Sequence, residues 1–399
     1  MNLTNKQEAG LKLAIERYKN KERYTVIAGY AGTGKSTLVK YIISALCAKG
    51  VNPERVCYAA YTGKAAQVLQ KKGHKNVSTL HHLLFESVPK GDGTFFHRKK
   101  KFIDYDVVVV DEISMAPKSL MQTLYSHKNI YILALGDPFQ LPPVYKDEDN
   151  HLLDSPHIFL DEVMRQAADN EIIKTSMMIR EGKPLSYYKG ENVQILPQNI
   201  MNEGMLLWAD QILVAKNDTR VSINNQMRNL LGRGAMPEKG DKVICLRNYW
   251  DDFSANGMPL INGCIGYLAH DIHNDYINIP YFMRRKYFDD FNNLKSIDVL
   301  RAGFKSDDGD DYGMLEMDKK LILTGEDSLN PRQNFLLGKL MPLPKEFTYG
   351  YAITGHKSQG SEWEKVLVIE EKFPFGKEEH ARWLYTVCTR ASDKLVLLR

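Results

Sequence analysis

Long apolar runs, paired cysteines and a strong charge bias are all missing from this sequence of 399 residues. No stretch approaches the roughly 20 apolar residues that a helix needs to span a bilayer, so no membrane partner is expected. The segment Met1 to Lys21 is polar and has no apolar signal core, which points away from secretion. The cysteines, Cys47, Cys57, Cys245, Cys264 and Cys388, are scattered, with no CxxC pair and no clustered histidine. That pattern excludes a disulfide framework and a zinc site, and it fits a reducing compartment. A net charge of only +4 permits nucleic-acid binding without indicating it. What remains is ordinary: 43% hydrophobic and 26% charged residues, in a chain long enough for two or three domains.

Short apolar runs recur along the chain. They are Thr25–Ala28, Val56–Ala60, Val107–Val110, Ile130–Leu135, Ile212–Ala215, Val366–Ile369 and Leu395–Leu398, each followed by a turn and a helical pattern. Runs this short, with little alternation, predict strands buried on both faces, hence a parallel sheet in an α/β fold. After the first run, Leu38, Ile42, Ala45 and Leu46 repeat at helical spacing, and Gly50 is placed to end that helix. Two stretches break the pattern. Pro89–Lys101 reads PKGDGTFFHRKKK and predicts a small hairpin. From about Gly240 to Leu343, β-like runs (Lys242–Leu246, Cys264–His270, Tyr276–Pro280, Lys320–Leu323) alternate with turn formers and an acidic loop, SDDGDD, at 306–311. This reads as a small β-barrel inserted within a second α/β unit.

The segment GYAGTGKS at 29–36 lies between the first strand and a helix opening at Lys35, the context that a P-loop requires. Its glycines let backbone N–H groups wrap a phosphate, and the helix N-terminus adds favourable field. Lys35 is assigned to the β- and γ-phosphates and the Ser36 hydroxyl to Mg2+, with Gly29, Gly32, Thr33, Gly34 and Thr37 completing the ATP-binding set. The run VVVVDE at 107–112 buries a strand and delivers two carboxylates to the same sheet edge. Asp111 is the expected Mg2+ partner, and Glu112 the group that orients or deprotonates the attacking water. A lone Asp-Glu pair is commonly a surface turn; beside a P-loop it implies nucleotide hydrolysis.

Further segments carry a more specific signal. LGDPFQLPP at 135–143, YTGKAA at 61–66 within Val56–Leu69, STLHH at 78–82, LDEVMRQ at 160–166, TGHKSQGSE at 354–362, YTVCTRA at 385–391 and LTNKQ at 3–7 follow one another in order. They resemble motifs III, Ia, Ib, IV, V, VI and the N-terminal glutamine motif of superfamily 1 DNA helicases, RecD-like and Dda-like members above all. The resemblance covers nearly the whole chain. It implies two RecA-like parallel-sheet lobes, residues 1–84 with 103–158 and residues 159–237 with 345–399. It also implies a hairpin insertion at 85–102 and an SH3-like β-barrel insertion at 238–344. Gln140 becomes the expected γ-phosphate sensor, Gln7 the adenine reader and Glu362 a ribose contact. Arg165 and Arg390 become arginines that reach across the cleft, although an isolated arginine is more often a surface ion pair worth under about 1 kcal/mol. No long helical extension precedes the glutamine motif, so a minimal form without a RecBCD-like partnership is expected.

By the same resemblance, Thr62, Lys64, Thr79, His81, Thr354, His356 and Lys357 line a strand-binding groove; their hydroxyls, imidazoles and amines suit phosphate contacts. Each threonine could equally cap a helix, and His82 could be core. Phe95 and Phe96 in the hairpin are candidates for a wedge that splits base pairs, or for plugs that seat the hairpin. The aromatics of Tyr281–Phe288 are expected in the small barrel's core rather than on a strand. The expected activity is an ATP-dependent DNA helicase, moving 5′ to 3′ on single-stranded DNA and opening duplex forks as a monomer in the cytoplasm of a bacterial or phage-infected cell. A DNA-stimulated ATPase that displaces proteins, or an RNA-directed motor, are the alternatives.

Overall fold

The computed structural model describes residues 3–89, 95–143, 149–164, 169–270, 272–372 and 376–399. The chain divides into two compact units, one formed by Met1–Glu86, Lys99–Asn217 and Ile353–Arg399, the other by Ser87–Arg98 and Asp218–Ala352.

The first unit opens with strands β1 (Tyr24–Gly29), β2 (Val56–Ala60) and β3 (Val77–Thr79). The chain next forms a ribbon that falls largely to the second unit, β4 (Phe85–Pro89) pairing with β5 (Phe95–Lys99), and the first unit resumes with β6 (Val107–Asp111), β7 (Tyr131–Gly136) and β8 (Ile158–Leu160). All the strands except those of the ribbon join one parallel sheet in the order β3-β2-β6-β7-β1-β8. The unbroken apolar runs reflect burial on both sides. Val107 and Val109 pack with Leu38, Ile42 and Leu46 on one face, while Val108 and Val110 pack with Leu80, Leu84, Leu120 and Leu124 on the other. Along β6 burial stops at Asp111, the residue that emerges at the carboxyl edge. Because the strands are parallel and in register (Ala28 beside Gly136, Ala60 beside both Asp111 and Thr79), everything that follows a strand end gathers along that one edge.

The chain then adds β9 (Tyr188–Lys189), β10 (Val193–Leu196) and β11 (Gln211–Val214), continues through eight strands from β12 (Lys242–Cys245) to β19 (Phe347–Tyr349), and closes with β20 (Ala352–Thr354), β21 (Trp363–Ile369) and β22 (Ala391–Leu398). The second sheet runs β20-β11-β21-β22-β10-β9. It is parallel from β11 through β10, but β9 pairs antiparallel, a departure from the all-parallel expectation that falls on an exposed edge of two residues.

In the second unit, the intervening strands are β13 (Tyr249–Phe253), β14 (Pro259–Leu260), β15 (Ile265–Leu268), β16 (His273–Asn278), β17 (Ser296–Ser306) and β18 (Asp311–Asp318). Strands β16-β17-β15-β12-β19, with β18 on β17, form an antiparallel sheet around Phe304 and Phe347, whose rings meet edge to face at 5.0 Å. Two sequence expectations fail in this unit. Lys320–Leu323 is not β but part of the helix Lys319–Thr324: the Asp318 side chain caps its start, and Gly325 ends it at φ 77°. Of the Tyr281–Phe288 aromatics, only Tyr287 packs against the core. A helix over Tyr281–Lys286 turns only Met283 inward, and Tyr281, Phe282 and Phe288 stay 70%, 56% and 63% exposed.

One buried ion pair anchors this unit. Asp241 is fully buried and accepts from Arg228 Nε and Nη2 (3.2 Å each), the Tyr351 hydroxyl (2.9 Å) and the Glu238 N–H (2.7 Å). Removing the carboxylate strands a buried guanidinium and several donors, which typically costs about 3–5 kcal/mol. We predict that Asp241→Ala lowers the melting temperature of this unit by roughly 10 °C or more, measured by scanning calorimetry.

Candidate nucleotide site and strand groove

The P-loop is a tight cradle. Gly32 and Gly34 hold φ at 75° and 79°, and a Cβ on Gly29 would lie 2.7 Å from Thr33 Oγ1 and 2.8 Å from the Leu160 carbonyl. Thr33 is buried and its hydroxyl donates to the Tyr30 carbonyl, 2.8 Å away. The Lys35 amine donates to the carbonyls of Gly29 (2.6 Å) and Tyr30 (3.0 Å), lying along the loop it is meant to serve. Ser36 is exposed and Thr37 half-buried on the first turn of the helix Lys35–Cys47. Gln7 is buried at the third position of a capping box with Thr4. Its amide donates to the carbonyls of Thr33 (3.3 Å) and Gly34 (3.5 Å), so the glutamine segment braces the loop.

The acidic pair stands beside this cradle. Immediately after β6 the chain enters the left-handed region at Glu112 (φ 53°), and the Glu112 N–H donates to Asp111 Oδ1 at 2.9 Å. A non-glycine residue there is strained, and such strain concentrates where a side chain must be aimed. Burial pushes the Glu112 carboxyl up first, and Asp111 and then Asp137 push it further, while Arg390 and Lys35 pull it back. These opposing influences put four charged groups from three expected motifs and the P-loop around one carboxylate. Hard oxygen donors, the Ser36 hydroxyl and the Asp111 carboxylate, are what Mg2+ takes. Gln140 is 7% exposed, and its side-chain oxygen has no partner among the described residues, as suits a group kept to report on a ligand.

Arg390, at the start of β22, is 7% exposed. It donates to the carbonyls of Thr386 (3.1 Å) and Ser361 (3.2 Å) and to Thr389 Oγ1 (3.3 Å). It is therefore held in its own lobe while its charge reaches Glu112. Arg165 lies outside the described residues. Glu362 is exposed, one residue beyond the Ser361 carbonyl that Arg390 binds.

The groove residues divide by environment. Thr62 and Thr79 both cap helices, accepting from the N–H groups of Ala65 (3.2 Å) and His82 (3.3 Å). Lys64 is half-buried, and His81 and Lys357 are exposed. Thr354 begins the short helix Gly355–Ser358, and burial pushes the His356 imidazole pKa down, so it acts as a neutral donor or acceptor at neutral pH. His82 is exposed rather than core; its ring sits on the outer turn after Thr79. A Cβ on Gly360 would lie 3.2 Å from Thr62 Oγ1 and 3.1 Å from the Ala65 Cβ. Segments 61–66 and 354–362, from different sheets, thus meet face to face. Phe95 and Phe96 fall on β5, and their side chains lie outside the described residues.

An AAA-domain family profile matches residues 2–197, and a UvrD-like helicase C-terminal-domain profile matches 349–398. The ATP-dependent RecD2 DNA helicase of Deinococcus radiodurans is 28% identical over 382 residues, 93% of this chain and 46% of that protein. The chain is thus similar to DNA helicases of the RecD and Dda kind. The ATP-dependent DNA helicase Dda of Enterobacteria phage T4 is 31% identical over 193 residues, covering 45% of this chain and 43% of Dda. Both matches span less than half the length of the relative. Among solved structures, a Pif1 helicase from Bacteroides in complex with ADP-AlF3 and ssDNA shares the fold, with TM-score 0.54 and 17% identity over 100% of this chain and 92% of that one.

Two residues of this site carried no assignment in the sequence: Asp137 and Tyr385, both 1% exposed, whose hydroxyl–carboxylate contact is 2.6 Å. Nothing local could have signalled the pair, since the partners are 248 residues apart.

The raised pKa of Glu112 has a consequence for stability. A carboxyl that titrates higher in the folded chain than in the unfolded one stabilises in its protonated form, and that contribution is lost as pH rises through the folded value. We predict that Glu112→Gln raises the melting temperature at pH 8, and that its advantage shrinks as pH falls through the raised folded value and is gone below the ordinary glutamate range. Scanning fluorimetry across pH checks it; an unchanged difference at all pH values would contradict the assignment.

Proposed function

We propose that this chain is an ATP-driven motor that moves 5′ to 3′ along single-stranded DNA and opens duplexes. The observation that carries the reading is Glu112, which feels the P-loop lysine from one sheet and Arg390 from the other. A nucleotide site completed by two lobes is the arrangement in which binding and hydrolysis can drive them together and apart. The names of the relatives, DNA helicases that use ATP, support it.

Bound Mg–ATP supplies the phosphoryl group and the metal's Lewis acidity. Gly32, Thr33, Gly34 and Thr37 would hold the phosphates with Lys35; Ser36 and Asp111 would hold the metal; Gln7 would read adenine and Glu362 the ribose. Glu112 takes the proton of the attacking water, which its raised pKa suits. Gln140 senses the terminal phosphate. Arg390, joined by Arg165, neutralises charge developing on the transferred group, a contribution of about 10³–10⁵ in enzymes that use such an arginine. Thr62, Lys64, Thr79, His81, Thr354, His356 and Lys357 grip the sugar-phosphate chain with little base preference, so binding weakens steeply with salt.

The remaining parts follow the family. We assign residues 1–84 with 103–158 and 159–237 with 345–399 to two RecA-like lobes, and 85–102 to a pin whose Phe95 and Phe96 wedge the fork. Residues 238–344 are assigned to an SH3-like barrel, supported by the antiparallel sheet in that stretch. The motor acts as a monomer in the cytoplasm.

Duplexes with a single 5′ or 3′ tail, incubated with ATP and Mg2+, test the reading: the 5′-tailed substrate opens and the 3′-tailed one does not. Opening of the 3′-tailed duplex alone would reverse the polarity. Loss of opening with intact translocation on replacing Phe95 and Phe96 by Ala supports the wedge. ATPase stimulation by single-stranded RNA above that by DNA would favour an RNA motor, and stimulation by DNA with no opening of either duplex would favour a protein-displacing ATPase.

Lys35→Ala is expected to lower ATP turnover at least 100-fold while single-stranded DNA affinity without nucleotide stays within about threefold, because the lysine serves the phosphates and not the strand. Turnover in a coupled assay and fluorescence anisotropy with a labelled oligonucleotide measure the two quantities.

A further inference from the structure

We propose that Tyr385 is a positioning residue, whose single hydroxyl proton ties the phosphate loop to the Asp137–Leu141 segment and so transmits nucleotide state to the strand groove. The proposal rests on the motor reading above and names a residue that carries its coupling.

The hydroxyl is engaged on both sides. It accepts from the Ala31 N–H of the P-loop at 2.9 Å and donates to Asp137 Oδ2 at 2.6 Å. Asp137 is equally buried; its other oxygen accepts from the Phe139 N–H at 2.9 Å, and its carbonyl accepts from Gln140 N–H at 3.3 Å. The Phe139 ring stands edge-on to the Tyr385 ring at 5.3 Å, fixing the phenol in place. One residue on, Thr386 Oγ1 accepts from Leu141 N–H at 3.0 Å, and the Leu141 carbonyl accepts from the Gln359 amide at 2.9 Å. Gln359 directly follows the helix that carries His356 and Lys357. Hydrogen bonds, joined through the backbone of residues 137–141, therefore run from the phosphate loop, through Tyr385 and Asp137, to the segment expected to hold the strand.

The arithmetic of protons makes this chain bistable. A phenol has one proton to donate. Burial keeps the Tyr385 phenol protonated well beyond the ordinary tyrosine range. While Ala31 N–H points at it, Tyr385 gives that proton to Asp137. When the Ala31 N–H turns to a bound anion, Tyr385 loses that donor, and an anion oxygen that comes within reach of the hydroxyl competes with Asp137 for its one proton. A buried carboxylate that loses a donor costs about 1–3 kcal/mol or more, enough to shift the segment that holds Gln140 and Leu141.

Binding, rather than turnover, tests this directly. The full chain is titrated onto a fluorescein-labelled oligothymidylate, with and without Mg2+ and a non-hydrolysable ATP analogue. In the unmodified chain the analogue changes the oligonucleotide Kd by about fivefold or more, the usual range for coupled sites. In Tyr385→Phe the change falls below about twofold, while Kd for the oligonucleotide alone and for the analogue alone each stay within about threefold. Asp137→Asn gives the same loss, and the double variant loses no more. If Tyr385→Phe melts early, Thr386→Val, which breaks the next link, carries the comparison. Retention of the full nucleotide-dependent change in Tyr385→Phe overturns the relay, as does parallel weakening of both ligands with the ratio preserved. An unmodified chain that binds neither the oligonucleotide nor the analogue sinks the motor reading instead.

Discussion

Three carboxylates, Asp111, Glu112 and Asp137, sit together at the carboxyl edge of the first sheet, where the P-loop is built to receive a polyanion. Two like charges 4 Å apart repel by about 4 kcal/mol at an effective dielectric of 20. Cations offset the cluster: among the described residues Lys35 acts on Glu112 from the first sheet and Arg390 from the second. Hydrogen bonding relieves the third carboxylate, again from the second sheet, through Tyr385. The electrostatics of the site thus draw on both parallel sheets before any catalytic argument is made.

The same dependence explains why so many groups at the seam are fastened at both ends. Arg390 is held by carbonyls of its own lobe, and Tyr385 by groups of the opposite one. Gly355 approaches the Trp383 ring so closely that a Cβ would lie 2.6 Å from the indole nitrogen, which locks the strand-side helix to the helix that carries Tyr385. Movement at the phosphate end therefore cannot be absorbed locally. Close packing leaves few intermediate arrangements, and that favours switching between discrete ones.

Much of this was legible in the residues alone. Valines at 107–110 read as a strand buried on both faces because alternate side chains enter two different cores. GYAGTGKS was legible because strand, loop and helix agreed. The misreadings have physical causes. In Lys320–Leu323 a short β-like run outweighed Asp318 and Gly325, the cap signals on either side, and tertiary packing on Leu321 and Ile322 decided for helix. In Tyr281–Phe288, aromatic character suggested core, but the turn at Pro280 orients the helix so that Met283 and the following Phe291 fill that space. Tyr385 escaped notice because a tyrosine in an apolar helix looks like packing; its meaning lies in partners 248 and 354 residues away.

Thr62 and Thr79, proposed above as strand contacts, show that helix capping does not exhaust a hydroxyl's bonding. Thr62 and Thr79 accept helix N–H groups through a lone pair, and that geometry leaves each hydroxyl proton to donate elsewhere. Both follow strands whose ends reach the carboxyl edge, β2 and β3, so the cap that starts each helix also fixes where the hydroxyl stands. Gly360, at φ 77°, then brings the opposite segment close to Thr62, where a Cβ would sit in tight contact with its hydroxyl. A phosphate contact made there would be sensitive to the register of the two lobes rather than to base identity. That is the property a translocating motor needs: a grip that depends on lobe position and ignores sequence.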